Sequence, residues 1–277
     1  MRKREWTEAA KVSGIECVGV VRACPGGEFA IGAKVAAIMG GLGRSINGSY
    51  AEYTRAPAAN VVAIDSALPW EQLAAIPESY ATAWTCLHRN LELSAGETLV
   101  IRGATSALGQ AALNIAGHAG ARVIATTRNP ARFSMLRELG AERVELEAPD
   151  VSRRLSQKVD AVLDLVGNST ILDSLALVRR GGLVCPAGFL GGLAPLPSFN
   201  PLREMPSGVH LSFFGSFVLG TAEFPLSDIP LQQMVDRAAA GTYKTQPARV
   251  FRFDQIGEAH RVMESNQAAG KLVVRVC

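Results

Sequence analysis

The residues whose types and spacing bear most directly on chemistry lie in one stretch, Thr98–Leu136, TLVIRGATSALGQAALNIAGHAGARVIATTRNPARFSML. Read from Ala104, its turn is A-x-S-x-x-G, a relaxed form of G-x-G-x-x-G with Thr105, Ala107 and Leu108 at the open positions. Such a turn needs small side chains where backbone N–H groups and a helix N-terminus meet a pyrophosphate. Ala104 keeps the turn tight, Ser106 is small and can donate, and Gly109 lets helix and strand approach. Ordinary strand-to-helix packing makes similar demands. What favours a nucleotide is the setting between a strand and a helix, with a second strand following at the right distance.

That second strand selects the cofactor. An NAD site places an Asp or Glu at its end to bond the ribose 2′-hydroxyl. Residues 121–137 contain no acid, and the strand runs into Thr126, Thr127, Arg128 and then Arg132. A neutral-to-basic pocket suits a 2′-phosphate, which guanidinium groups bind bidentately. The expected cofactor is NADP; the alternative for Arg128 and Arg132 is a solvated helix start.

The elements that must position these residues can be read on either side. From residue 97 strands and helices alternate: strands Thr98–Gly103, Arg122–Thr127, Asp160–Val166 and Leu183–Gly188, with helices Gly109–Gly117, Pro130–Leu139 and Ser169–Val178 between them. Apolar strands in repeated βα units predict an α/β fold with a doubly wound parallel sheet. Val209–Phe214 is expected to be its last strand. The first 65 residues read instead as a small β domain, with strands Cys17–Arg22, Lys34–Ile38, Ser49–Thr54 and Asn60–Ile64. Trp70–Leu91 has helical spacing, interrupted near Pro77. After the parallel sheet, Leu226–Ala240, a strand Arg249–Phe253, a helix Asp254–Ser265 and a strand Lys271–Val276 lose the rhythm and are expected to return to the first domain. The expected domains are thus 1–91, 92–217 and 218–277.

Composition narrows the function classes. Over 277 residues, 28 Lys+Arg against 25 Asp+Glu leaves +3, no electrostatic case for nucleic acid or an acidic membrane. Five scattered cysteines (Cys17, Cys24, Cys86, Cys185, Cys277) without a CxxC read as reduced thiols in a cytoplasmic protein. The basic start, MRKREWTEAAKVSG, has no apolar core after it and does not read as a signal peptide. The longest uncharged stretch, Gly181–Leu202, is broken by Gly and Pro, so no membrane span is expected.

Together with GIECVGVV, GSYAEY, IPESYATAW, GGLVCPAGFLGG and the terminal NQAAGKLVV, the GATSALGQAA turn gives a likeness from about Gly14 to the C-terminus. The chain resembles a zinc-independent medium-chain dehydrogenase/reductase of the quinone oxidoreductase type. That resemblance implies a Rossmann NADP-binding domain beside a GroES-like catalytic domain, here incomplete because family members begin roughly fifty residues earlier. It implies hydride delivery to a quinone or α,β-unsaturated carbonyl without a metal, in a homodimer joined at the edge strand near Val209–Phe214. Zinc-dependent relatives carry Gly-His-Glu where this chain has Gly14-Ile15-Glu16, so the ligand imidazole is replaced; the four histidines are not paired with Cys at metal spacing. This disfavours a metal-dependent alcohol dehydrogenase.

By the same likeness Thr82 lies near the nicotinamide, Gly188, Phe189, Leu190, Phe213 and Phe214 hold its carboxamide, and Asn266 with Lys271 closes over the cofactor. Tyr50 and Tyr80 are candidate proton donors or substrate walls. Each has a plainer alternative: a helix hydroxyl bonded to its own backbone for Thr82, core packing for Phe213, structural burial for Tyr50. The short N-terminus keeps a second function open, a non-catalytic NADP-binding redox sensor or oligomerisation partner.

Overall fold

The structure, a computed structural model, describes residues 11–276. The reading of the first ten residues as lacking a leader core, and Cys277, lie outside them. The chain divides into two compact units: residues up to Ala81 together with those from Ser216 onward, and Thr82–Gly215.

In the first unit β1 (Glu16–Val20), β2 (Lys34–Ile38) and β3 (Val61–Ala63) form an antiparallel sheet in that order. The Ser49–Thr54 strand expected from sequence does not form. Its amides turn to the chain start instead, Ser49 N–H to Gly14 O (3.1 Å) and Tyr50 N–H to Ser13 O (3.0 Å). Buried Asn60 staples the unit, its Nδ2 donating to Ile38 O (2.9 Å) and Leu219 O (2.7 Å). Gly40 and Gly220 make room for it, since a methyl on either would lie within 2.5 Å of the Asn60 side chain. The Trp70–Leu91 segment breaks into α1 (Trp70–Leu73), α2 (Pro77–Thr85) and a π-turn, Cys86–Asn90. Pro77 opens α2, a position where its missing N–H costs nothing.

The second unit is built on a six-stranded parallel sheet. Along the chain come β4 (Thr98–Arg102), α3 (Ala107–His118), β5 (Arg122–Thr127), α4 (Phe133–Glu138), β6 (Arg143–Leu146) and α5 (Val151–Arg154). Then follow β7 (Val159–Asp164), α6 (Ile171–Leu177), β8 (Val178–Pro186), α7 (Pro201–Glu204) and β9 (His210–Leu211). The order β6-β5-β4-β7-β8-β9 is that of a doubly wound nucleotide-binding sheet, as the strand–helix alternation leads one to expect. The central strands are apolar on both faces: Leu99, Val100, Ile101, Val162 and Leu163 are each fully buried. Three elements were not legible beforehand, β6, α5 and α7, each only four residues long and too short to show a period. β8 also starts earlier than expected, at Val178, and β9 is a two-residue strand where six residues were anticipated.

One side chain in this sheet is exceptional. Arg102, the last residue of β4, is completely buried. Its Nε reaches both Glu147 oxygens (3.1 and 3.3 Å), and Nη2 bonds Glu147 and Ala148 O (2.7 Å). Nη1 donates to Asp173 (2.8 Å), Ser174 Oγ (3.2 Å) and Thr170 O (3.3 Å). Asp164, at the end of β7, accepts from the amides of Val166 and Gly167 (both 2.9 Å) and from the Ser174 hydroxyl (2.6 Å). Burial alone would lower the Arg102 pKa, but the Glu147, Asp164 and Asp173 carboxylates hold it above the ordinary value. A cation so enclosed is tolerable only because every donor has an acceptor.

After this unit the chain completes the first with α8 (Leu231–Ala239), β10 (Arg249–Arg252), α9 (Ile256–Glu264) and β11 (Leu272–Arg275), β10 and β11 pairing in parallel.

Replacing Arg102 by Met leaves two buried carboxylates without their cation. R102M is expected to lose about 3–5 kcal/mol of stability, read by urea unfolding at neutral pH, with the added E147Q change restoring part of it. A loss below about 1 kcal/mol would contradict this accounting.

Candidate functional site: a nucleotide cradle at the carboxyl edge of the sheet

β4 ends in Gly103, whose φ of +75° turns the chain sharply out of the sheet. Ser106 then caps α3: its hydroxyl accepts from Gly109 N–H (3.1 Å) and donates to Gly103 O (2.9 Å). Helix geometry leaves the Ala107 and Leu108 amides without an intrahelical acceptor. Thr105, Ser106, Ala107 and Leu108 are half-buried, whereas Ala104 and Gly109 are buried. A methyl at Gly109 would lie 2.6 Å from Ala104 Cα, so only glycine lets this helix sit against this turn. The result is a shallow cup of amides at the positive end of a twelve-residue helix, suited to a pyrophosphate.

The β8 exit loop joins the cup. Gly188 packs on β7, where a methyl would lie 2.5 Å from Leu165 O, and Leu190 N–H bonds Leu165 O (3.1 Å). Leu190 in turn covers Gly103, whose missing methyl would stand 2.9 Å from Leu190 Cδ1. Phe189 is 68% exposed beside it. Past β9, Phe214 is buried and its amide bonds Pro186 O (3.1 Å), while Phe213 is 68% exposed rather than core. The structure therefore gathers the Ala104–Gly109 turn and the Gly188–Leu190 loop at one edge.

At the end of β5, Thr127 is buried and its hydroxyl accepts from Asn129 N–H (3.2 Å). Asn129 Oδ1 caps the following turn at Ala131 N–H (3.0 Å). Arg128 is exposed and Arg132 half-buried. These residues fit a phosphorylated ribose: two guanidinium groups and a threonine stand where a carboxylate would serve an unphosphorylated one.

The remaining candidates are placed as follows. Thr82 is buried on α2 in the second unit. Tyr80, on the same helix, is buried and stacks on Tyr243 at 5.6 Å. Tyr50 meets His260 edge-on at 5.7 Å, and burial raises its pKa, partly offset by Lys271. Asn266 is exposed in a left-handed turn, with φ of 58°. Lys271 is paired with Glu16 and donates to Ser79 Oγ (3.2 Å); Glu16 also accepts from Glu78 N–H (2.9 Å). Lys271 thus ties β11 to β1 and the start of α2. Sequence reading missed both this partner and the Arg102 cluster.

Among the described residues no group of three or more His, Cys, Asp or Glu could hold a metal ion, and no helix is long and apolar enough to cross a membrane. Nor is the β1 thiol a nucleophile at neutral pH. Burial, and secondarily Glu16, push the Cys17 pKa up to about 11. Since only the thiolate reacts, alkylation of Cys17 by iodoacetamide is expected to stay slow at pH 8 and climb towards about pH 11. Peptide mass spectrometry of labelled native protein reads this; full labelling at pH 7 at the rate of an ordinary exposed thiol would contradict it.

Comparison with known proteins agrees with this geometry. Residues 139–274 match a family model described as zinc-binding dehydrogenase. The chain is 30% identical over 265 residues to the polyketide synthase GfsB of Streptomyces halstedii, covering 93% of this chain and 4% of that one. It is 30% identical over 271 residues to a mycocerosic acid synthase-like polyketide synthase of Mycobacterium tuberculosis, covering 95% of this chain and 12% of the relative. The chain therefore spans only a small part of these curated relatives. Among solved structures, YhdH of E. coli K-12 with bound NADPH superposes with a TM-score of 0.80 at 23% identity, covering 96% of this chain and 82% of that one. A quinone oxidoreductase of Pseudomonas syringae pv. Tomato DC3000 gives 0.81 at 24% over 95% and 82%. The CurK enoyl reductase gives 0.77 at 23% over 95% and 79%. At these identities the structural likeness is one of fold. Taken with the sheet order and the glycine turn, it shows a quinone oxidoreductase/enoyl reductase-like fold, in which residues 139–274 also match the dehydrogenase family model.

Proposed function

We propose that this chain is an NADPH-dependent oxidoreductase that reduces a quinone or an α,β-unsaturated carbonyl without a metal. The observation that carries the reading is the cradle of the second unit, an amide cup beside an arginine-bearing β5 end. The NADPH named in the YhdH structure, and the quinone and enoyl reductase names of the other two, support it. When bound, the reduced nicotinamide supplies the hydride, and a conjugated carbonyl can accept it because its oxygen takes up the charge.

The chain's own residues have separate tasks in this reading. Ala104–Gly109 bind the pyrophosphate through amides, and Ser106 keeps that turn closed. Thr127, Arg128 and Arg132 hold the 2′-phosphate. The Gly188–Leu190 loop with Phe213 and Phe214 excludes water from the ring's neighbourhood, and Thr82 offers the hydroxyl beside it. Ile15 in place of a ligand imidazole is consistent with chemistry that relies on positioning rather than on a Lewis acid.

The same reading carries a second copy of the chain on the β9 edge, where Leu211 and Phe213 are 36% and 68% exposed, and a cytoplasmic setting. Sedimentation velocity at micromolar concentration is expected to show a dimer; a monomer would contradict that part.

Fluorescence titration is expected to show NADPH bound at least about tenfold more tightly than NADH, with R128A removing most of the difference. A panel of quinones and enones should then support NADPH oxidation above background. Tight binding without turnover would favour a non-catalytic nucleotide sensor, and failure to bind either nucleotide would remove the reading.

A further inference from the structure

The acid that an NAD site uses is absent from residues 121–137, yet a carboxylate arrives at the same place from the next strand. Glu147 follows β6, and its amide bonds Thr127 O (2.9 Å), so its backbone lies directly against the end of β5. That is where an acid would meet ribose hydroxyls and repel a 2′-phosphate. Its neighbour Glu145 is engaged by Arg143 (2.7 Å) and Arg154 (3.5 Å) on the surface. Glu147 is not on the surface. Its side chain is only 6% exposed, turned inward onto the Arg102 fork, and it accepts a further bond from the Thr126 hydroxyl.

Arg102 has two arms. One, through Nη1, serves Asp173, Ser174 and Thr170 O and holds α6 to the sheet. The other, through Nε and Nη2, serves Glu147 and Ala148 O. This second arm withdraws a negative charge from the rim where Arg128 and Arg132 stand.

We propose that Arg102 is a positioning residue for cofactor choice: by holding the Glu147 carboxylate inside the sheet it keeps the pocket at the end of β5 basic and open to a 2′-phosphate. Cofactor preference then has two determinants, the arginines that face the phosphate and a buried arginine that hides an acid from it. The inference rests on the NADPH reading given above.

The experiment compares dissociation constants of NADPH and NADH for the full chain and three variants, with circular dichroism confirming the fold. R102K keeps the buried charge but replaces a planar fork with a single ammonium, which cannot serve both arms at once. Its NADPH-to-NADH preference is expected to fall about tenfold through loss of NADPH affinity and gain of NADH affinity. Adding E147Q to R102K should return the preference to within about twofold of the parent. Should R102K not fold, T126V makes a related comparison: it removes the hydroxyl that tethers Glu147 and also accepts from Gly103 N–H (3.2 Å), so both nucleotides weaken somewhat while the preference is expected to fall about threefold. An unchanged ratio in folded R102K, or in T126V where R102K is unfolded, overturns the proposal. So does equal weakening of both nucleotides, the mark of a structural role alone, or a ratio that E147Q does not restore. If the parent chain itself shows no preference for NADPH, the underlying reading fails first, before any variant is measured.

Discussion

The second unit depends on one interaction, the fully buried guanidinium of Arg102 at the carboxyl end of β4. From a single point it reaches the segment after β6 through Glu147 and Ala148, and α6 through Asp173 and Ser174. Ser174 passes the connection to Asp164 at the end of β7, and Thr126 passes it from Glu147 back to β5. Three strand ends, those of β5, β6 and β7, are thereby fixed relative to the residue immediately before Gly103. A nucleotide cradle is a set of backbone amides held in position without a ligand's help, and this network supplies that rigidity. The cost of desolvating the ions is offset because the fork is bidentate and its remaining donors are satisfied.

The two units use charge in different ways. In the second, an excess of carboxylate over cation is kept under the sheet while arginines stand at its rim. In the first, Lys271 and Glu16 join the last strand to the first and, through Ser79 and the Glu78 amide, to α2. Ile15 separates Gly14 from Glu16 in the segment where zinc-dependent relatives carry histidine. The zinc-binding name of the matching family model describes that family; among this chain's described residues no side chains are grouped to hold the ion.

Much of the fold was legible because its signals are local. Lys34–Ile38 and Arg122–Thr127 form strands with the bounds that their β-rich runs and flanking turns imply. The Gly109 contact follows from small residues between a strand and a helix, whereas Ser106, read as a donor, serves as the cap of α3. What was not legible depends on partners distant in sequence. Nothing in Arg102 announces that Glu147, 45 positions on, will meet it. Ser49–Thr54 alternates like a strand, but its amides are taken by residues 13 and 14. Asn60 reads as the first residue of a strand, but it lies just before β3 and is a buried staple bonded to Leu219 O beside Gly220. In the candidate site the backbone cup was readable, whereas the acid beside the ribose pocket was hidden because it comes from the neighbouring strand.

The central claim is that the end of β5 is a 2′-phosphate site, and it can be tested without substrate, hydride or the nicotinamide half of the cofactor. Calorimetric titration of the full chain with adenosine 2′,5′-bisphosphate and with 5′-AMP isolates the single phosphate at issue. The account predicts that the bisphosphate binds at least about tenfold more tightly, with the gap narrowing as salt rises. Equal affinity for the two, or preference for 5′-AMP, would contradict it.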